Sequence, residues 1–249
     1  MAPTVRVLIL GGTSEARSLA ARLSEVADVE VVSSLAGRVR DPRLPEGEVR
    51  IGGFGGVAGL RDWLRDNAIR VVLDATHPFA ARISSNAAAA TTEAGLPFAV
   101  LQRPPWSPRP GDSWLEVGSL TAAAAELPEL GRRVFLTIGR QGVDRFATVD
   151  ADFLVRAIDP PEGPAPARMT LLLDRGPFDV GRESALMREH RIDVVVSKNS
   201  GGDLTVAKLT AARELGIPVL MVRRPPNPLG VTVFDGVDEA ERWLLAVAG

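Results

Sequence analysis

The chain reads as an α/β protein built from two doubly wound parallel-sheet domains with a cleft between them. Three observations predict this. Short, nearly continuous apolar runs alternate with segments of helical period along the whole sequence. Glu93 to Pro105, EAGLPFAVLQRPP, lines up without gaps on Glu214 to Pro226, ELGIPVLMVRRPP, so one strand–helix unit ends each half. Between the halves lies RPPWSPRPGD, Arg103 to Asp112, whose proline and glycine content marks a linker.

The first run, Val5 to Leu10, is apolar at Val5, Val7, Leu8, Ile9 and Leu10, as suits a strand buried on both faces. It stops at Gly11-Gly12. Ala16, Leu19, Ala20 and Leu23 then recur at helical spacing, with Glu15, Arg17 and Arg22 on the other faces. Strand, glycine turn and helix N-terminus in that order match a dinucleotide-binding turn, in which free N–H groups and the positive helix end face a pyrophosphate. The fit to GxGxxG/A is partial. Gly11 and Ala16 hold the first and third positions, Thr13 stands at the second, and Gly12 sits one residue early. A plain strand-to-helix turn is the competing reading. On the nucleotide reading, Gly11, Gly12, Thr13, Ser14, Glu15 and Ala16 surround the pyrophosphate.

Val29 to Val32 is the second strand and ends at Ser33-Ser34-Leu35-Ala36-Gly37-Arg38. This strand end meets the adenosine ribose in doubly wound domains, where an acidic residue selects NAD. None stands here. Small hydroxyls at Ser33 and Ser34 with Arg38 suit a 2′-phosphate, so the expected cofactor is NADPH. The alternative is a Ser-Ser loop cap with a solvated Arg38. Val49 to Ile51 is a weak third strand, closed by Gly52-Gly53-Phe54-Gly55-Gly56; this loop reads as a backbone wall against the cofactor and as a tight turn into the next helix, two compatible readings. Leu60, Trp63 and Leu64 space a helix. Val71 to Leu73 is the fourth strand, ending in Asp74-Ala75-Thr76-His77-Pro78. Ala75, Thr76 and His77 are expected near the nicotinamide. His77 is the candidate proton donor, against the plainer reading of a turn residue bonded to backbone. An Ala-rich helix and a strand from Pro97 to Leu101 complete the first half.

The second half repeats the plan. Trp114 to Val117 reads as a strand and Ser119 as an N-cap. Val134 to Ile138 is a strand followed by Gly139-Arg140-Gln141-Gly142 in the place of the glycine turn. Phe153 to Val155, Met169 to Leu173, Val194 to Val196 and Pro218 to Val222 are further strands, with helices at Val180 to His190, Thr205 to Leu215 and Glu239 to Val247. The expected domains are 1–108, the dinucleotide side, and 109–249, the substrate side. Both copies of RPP leave a sheet, which leaves open whether strands exchange between the domains. Arg82, Arg103, Arg140, Lys198 and Arg224 sit at or near strand ends or linker edges, where an anionic ligand would be met.

Composition narrows the chemistry. The chain has 249 residues, 45% hydrophobic and 24% charged, with net charge −2, so charge argues for neither nucleic acid nor membrane binding. It has no Cys and no Tyr, and only two His, His77 and His190. Thiolate nucleophiles, thiolate metal sites, iron–sulfur clusters, multi-histidine metal sites and a Tyr/Lys proton-donor pair are therefore excluded. No GxxxxGK[ST] loop occurs. No apolar run reaches the roughly 18 residues of a membrane span. An N-terminus leading straight into a strand gives the expectation of no signal peptide and a cytoplasmic protein. The chemistry then falls to a bound cofactor, with no metal.

GGTSEA, SLAGR, GGFGG, DATHPFA, GRQG, KNSGG and RRPP occur here in one order from end to end. In this the chain resembles the precorrin-6A reductase family of cobalamin biosynthesis. The resemblance implies two Rossmann-like domains and an NADPH-dependent oxidoreductase that reduces one double bond of the tetrapyrrole precorrin-6A to give precorrin-6B. It implies nothing about cobalt in the ring. A precorrin carries many carboxylates and needs spaced cations and backbone donors. Arg82, Arg140, Gln141, Lys198, Asn199, Ser200 and Gly201 are the expected substrate contacts. The ring can accept hydride, with the proton drawn from water, and intermediates would pass to neighbouring pathway enzymes. Two rivals are an NADP-sensing regulator, which would not need GRQG or KNSGG, and a sugar-nucleotide glycosyltransferase, whose donor would normally bind the C-terminal domain.

Overall fold

The computed structural model describes residues 4–37 and 44–248. The chain falls into two compact units, Met1–Pro104 with Pro225–Gly249, and Pro105–Arg224. Relative to the expected domains 1–108 and 109–249, the tail from Pro225 changes side.

The first unit begins with β1 (Val5–Leu10), α1 (Ser14–Ser24), β2 (Val29–Leu35) and β3 (Glu48–Ile51). It continues with α2 (Gly56–Asp66), β4 (Ile69–Asp74), α3 (Ala81–Ala94) and β5 (Phe98–Leu101). All of its strands are parallel, which requires helical crossovers and leaves both faces of the sheet to be buried. Side chains alternate between the faces. Val7, Ile9, Val31, Val71 and Leu73 meet Leu19 and Leu23 of α1 on one side. Leu8, Leu10, Val32 and Val72 meet Leu60 and Leu64 of α2 and Ala87 and Ala90 of α3 on the other. Each fully buried leucine contributes roughly 1.5–3 kcal/mol relative to exposure. Gly95 ends α3 at φ 65°, the left-handed conformation that lets the chain turn straight into β5.

After β5 the chain leaves this sheet. β6 (Trp114–Val117) joins the second unit, which continues with α4 (Leu120–Leu130), β7 (Arg133–Leu136), β8 (Asp152–Ala157) and β9 (Arg168–Leu173). It ends with α5 (Val180–Glu189), β10 (Val194–Lys198), α6 (Ala207–Leu215) and β11 (Val219–Val222). The expected N-cap is present: Ser119 Oγ accepts the Ala122 N–H at 3.1 Å. Phe135, Leu154, Val195 and Met221 pack on Met187 of α5 and on Leu209 and Ala212 of α6.

After β11 the chain returns. β12 (Thr232–Phe234) pairs with β5, and α7 (Val237–Ala248) places fully buried Ala240 and Leu244 against the α1 face of the first sheet. The sheets therefore run β3-β2-β1-β4-β5-β12 and β9-β8-β7-β10-β11-β6, one topology twice. In each, the sixth strand is supplied by the segment after the other sheet's RPP. Proline has no N–H to continue a ladder and disfavours helix before it, so both exits fall at the repeated prolines.

Candidate functional site

In a doubly wound sheet ligands bind at the carboxyl ends of strands, where the order reverses. In the first sheet that switch lies between β1 and β4, and one register row crosses it: Arg50, Ser34, Leu10, Asp74, Val100. Gly11 follows β1 and donates its N–H to Ser34 O at 2.9 Å. Gly12 has φ 118°, a value a side chain would strain, and a Cβ there would meet nothing within 4 Å. Backbone geometry, not crowding, selects glycine at this point.

Thr13 explains the departure from the glycine pattern. It is the N-cap of α1: its Oγ1 accepts the Ala16 N–H at 3.1 Å and donates to Ala75 O at 2.8 Å. One hydroxyl thus caps the helix and ties the turn to the end of β4 across the switch point. A glycine could do neither. Ser14 donates to Glu15 Oε2 at 3.1 Å, and Glu15 pairs with Arg103 at 3.0 Å. Burial raises the Glu15 carboxyl, but its own backbone N–H and Arg103 outweigh burial and hold it below the usual value. Arg103, from the RPP segment, thus compensates a carboxylate in the first turn of α1.

The strand ends beside the turn carry polar groups left open. Ser33 and Ser34 are buried, and Ser33 Oγ has no partner among the described residues. Asp74 is 1% exposed; its Oδ1 accepts from Thr76 N–H at 3.0 Å and Thr76 Oγ1 at 2.7 Å, and its Oδ2 accepts nothing among the described residues. A Cβ on Gly52, Gly53 or Gly55 would meet nothing within 4 Å, so this backbone faces open space. These features fit a nucleotide: open glycine backbone, a helix N-terminus and unsatisfied buried polar atoms. His77 is exposed; its Nδ1 accepts the Phe79 N–H at 3.2 Å and its ring lies 5.8 Å from that of Phe79. That geometry is the turn-residue reading. Arg82 is exposed in the first turn of α3. Arg38 lies outside the described residues.

The second sheet has its own switch point, between β7 and β10. Lys198, the last residue of β10, donates from Nζ to Ile138 O at 3.0 Å and to Gln141 O at 3.5 Å. It thereby ties KNSGG to GRQG as Thr13 ties the two loops of the first unit. Burial pushes its pKa down to about 8. Arg140 reaches Glu162 at 3.0 Å, and Gln141 is exposed. After GRQG comes one 3-10 turn, Val143–Phe146, rather than an α-helix. No long helix N-terminus follows this turn, whereas α1 starts directly after the glycine turn of the first unit.

The side-chain amide of Asn199 is engaged by backbone within the second unit. Its Oδ1 accepts the Trp106 N–H at 2.8 Å and its Nδ2 donates to Trp106 O at 2.9 Å. Trp106 Nε1 donates to Gly202 O at 2.9 Å, and Arg224 Nε donates to Asn199 O at 2.7 Å. KNSGG is thus the dock for both RPP exits. Ser200 and Gly201 lie on the same loop, with Ser200 Oγ 3.4 Å from Lys198 O.

Two residues at the first site escaped the sequence reading, Asp74 and Arg50. The signal for Asp74 was a lone acid ending an apolar strand. The signal for Arg50 was only its adjacency to GGFGG.

Comparison with known proteins supplies the family. Residues 6–245 match the model of the family described as precorrin-6x reductase CbiJ/CobK. The chain is 62% identical over 240 residues to the precorrin-6A reductase of Rhodococcus erythropolis, covering 96% of this chain and 97% of that one. It is 53% identical over 240 residues to the Mycobacterium tuberculosis precorrin-6A reductase, with the same coverage. A solved structure of a CobK precorrin-6A reductase superposes with TM-score 0.90 at 42% identity, covering 98% of both chains. With the glycine turn, the Asp74–His77 loop and KNSGG all at strand ends, the chain belongs to the precorrin-6x reductase CbiJ/CobK family.

Proposed function

We propose that this chain is an NADPH-dependent precorrin-6A reductase that adds hydride and a proton across one double bond of the macrocycle to give precorrin-6B. The observation that carries the reading is the first unit's switch point, where Thr13 caps α1 and open glycine backbone follows β1 and β3. The names of its relatives support the substrate. Bound there, the nicotinamide would supply the hydride.

The chain's own residues do the rest. The N-terminal turn of α1 and the N–H groups after Gly11 offset pyrophosphate charge. The Arg103–Glu15 pair keeps the adjacent carboxylate from repelling it. Ser33, Ser34 and Arg38 are the proposed ribose contacts, and Asp74 and Thr76 set the loop on the nicotinamide side. In the second unit, Lys198 and Arg140 meet ring carboxylates. His77 is engaged by the Phe79 N–H, and water is the proposed proton source, as positioning supplies most of the rate. On this reading the enzyme works in the cytoplasm and passes precorrin-6B to neighbouring pathway enzymes.

The test is to incubate the protein with NADPH and precorrin-6A. The NADPH absorbance band should fall in step with a product heavier by one hydride and one proton. NADPH consumption that does not depend on the tetrapyrrole, or none at all, would refute the proposal.

A further inference from the structure

Arg50 sits one residue before the end of β3, in register with Ser34 of β2. Its Nη1 donates to Gly52 O at 2.7 Å and to Ser34 Oγ at 3.4 Å, and its Nη2 donates to Gly53 O at 2.6 Å. The guanidinium carbon lies 3.7 Å from the Phe54 ring centroid, and Phe54 is braced edge-on by Trp63 at 5.3 Å. Two carbonyls and a ring therefore fix the plane of the group in one orientation.

What this cation lacks is an anion. Arg6, Arg22, Arg61, Arg65 and Arg103 of the same unit each face at least one carboxylate. Among the described residues none faces Arg50. Burial pushes its pKa below the ordinary arginine value. A guanidinium has five N–H donors, and the three hydrogen bonds above leave Nε–H and one Nη2–H. Those two form the edge that takes a phosphate in a bidentate fork.

Position decides which phosphate. The pyrophosphate belongs at the α1 turn, after β1. Arg50 lies two strands away along the row Leu10, Ser34, Arg50, beyond the strand end that meets the adenosine ribose. Ser34, between them, is a neutral hydroxyl where an acid would select against a second phosphate. We propose that Arg50 is the residue that reads the 2′-phosphate of the cofactor, with the Ser34 hydroxyl beside it. This rests on the nucleotide reading above.

The experiment compares adenosine 2′,5′-bisphosphate with AMP, by calorimetry on the full chain, for the native protein, Arg50→Gln and Arg50→Lys. The native protein should prefer the bisphosphate. Arg50→Gln should lose about tenfold to a hundredfold in bisphosphate affinity with AMP affinity unchanged, because only a charged hydrogen bond to the extra phosphate is removed. Arg50→Lys should recover part of the preference through charge without the fork. Equal weakening of both nucleotides would overturn the proposal and leave Arg50 as a prop of the GGFGG loop; so would an intact preference in Arg50→Gln. A native protein with no preference would overturn the NADPH reading itself, and Arg50's role with it.

Discussion

Lys198 shows how one residue's surroundings set a testable response to pH. Its ammonium is held by the Ile138 and Gln141 carbonyls, and burial lowers its pKa from 10.5 to about 8. A lysine is charged below its pKa, so a ring carboxylate would meet a cation below about pH 8 and a neutral amine above it. KM for precorrin-6A should therefore rise as pH goes from about 7 to about 9, while KM for NADPH stays flat. Lys198→Arg keeps its charge throughout and should flatten the profile; an unchanged rise in that variant would remove Lys198 from the binding argument. Stability runs the opposite way with pH. With the folded pKa below the unfolded one, the protonated form opposes folding, an effect absent above 10.5 that grows as pH falls toward 8 and is then constant. At this scale the sequence was legible where chemistry is local: the glycine turn and the cation of KNSGG stand where expected. It was illegible where partners are distant. The Asn199 amide holds Trp106, 93 residues away, and only the fold brings them together. Arg50 was passed over for a related reason, since its neighbour Ser34 is set by the register between β2 and β3.

Among the elements, strands with apolar runs were legible, the edge strands β3, β6 and β9 included, and the edge strand β12 was not. β1, β4 and β10 are buried on both faces and announce themselves in sequence. β12 has three residues, of which Thr232 and Val233 are exposed, and it follows a polar loop, so nothing local marks it. It exists because β5 offers a parallel edge. The 3-10 turn after GRQG likewise replaces a helix that the repeat alone would suggest, and the Leu120 side chain stands where a Cβ on Gly142 would be. One link between elements makes a strong prediction. Arg156 of β8 and Glu183 of α5 form a buried two-bond pair, 6% and 2% exposed, with the guanidinium 3.6 Å from the Phe178 ring centroid. Removing one member of such a pair strands the other's charge and costs roughly 3–5 kcal/mol. Glu183→Leu should lower the urea unfolding midpoint accordingly, and a loss below about 1 kcal/mol would mean that water reaches Arg156 and solvates it. Arg156→Met combined with Glu183→Leu should recover much of the loss, since no unpaired charge remains.

For the whole molecule, the two sheets have one topology but unequal connectivity. The second unit is a single stretch, Pro105–Arg224, and contains all six of its strands. The first unit needs Pro225–Gly249, because β12 covers the edge of β5 and α7 fills the α1 face of the core. Without α7, Val7, Ile9 and Leu73 lose part of their cover, and the buried Leu244 alone represents roughly 1.5–3 kcal/mol of apolar burial. Without β12, β5 presents unpaired backbone at a sheet edge, a template for aggregation. The fragment 105–224 should therefore fold alone, with a cooperative urea transition. The fragment 1–104 should not, and should gain a cooperative transition and AMP binding only when a peptide of residues 225–249 is added. A fragment 1–104 that folds and binds AMP alone would show the returning strand and helix to be dispensable. If 105–224 stays unfolded instead, the second unit depends on the rest of the chain despite its unbroken sequence.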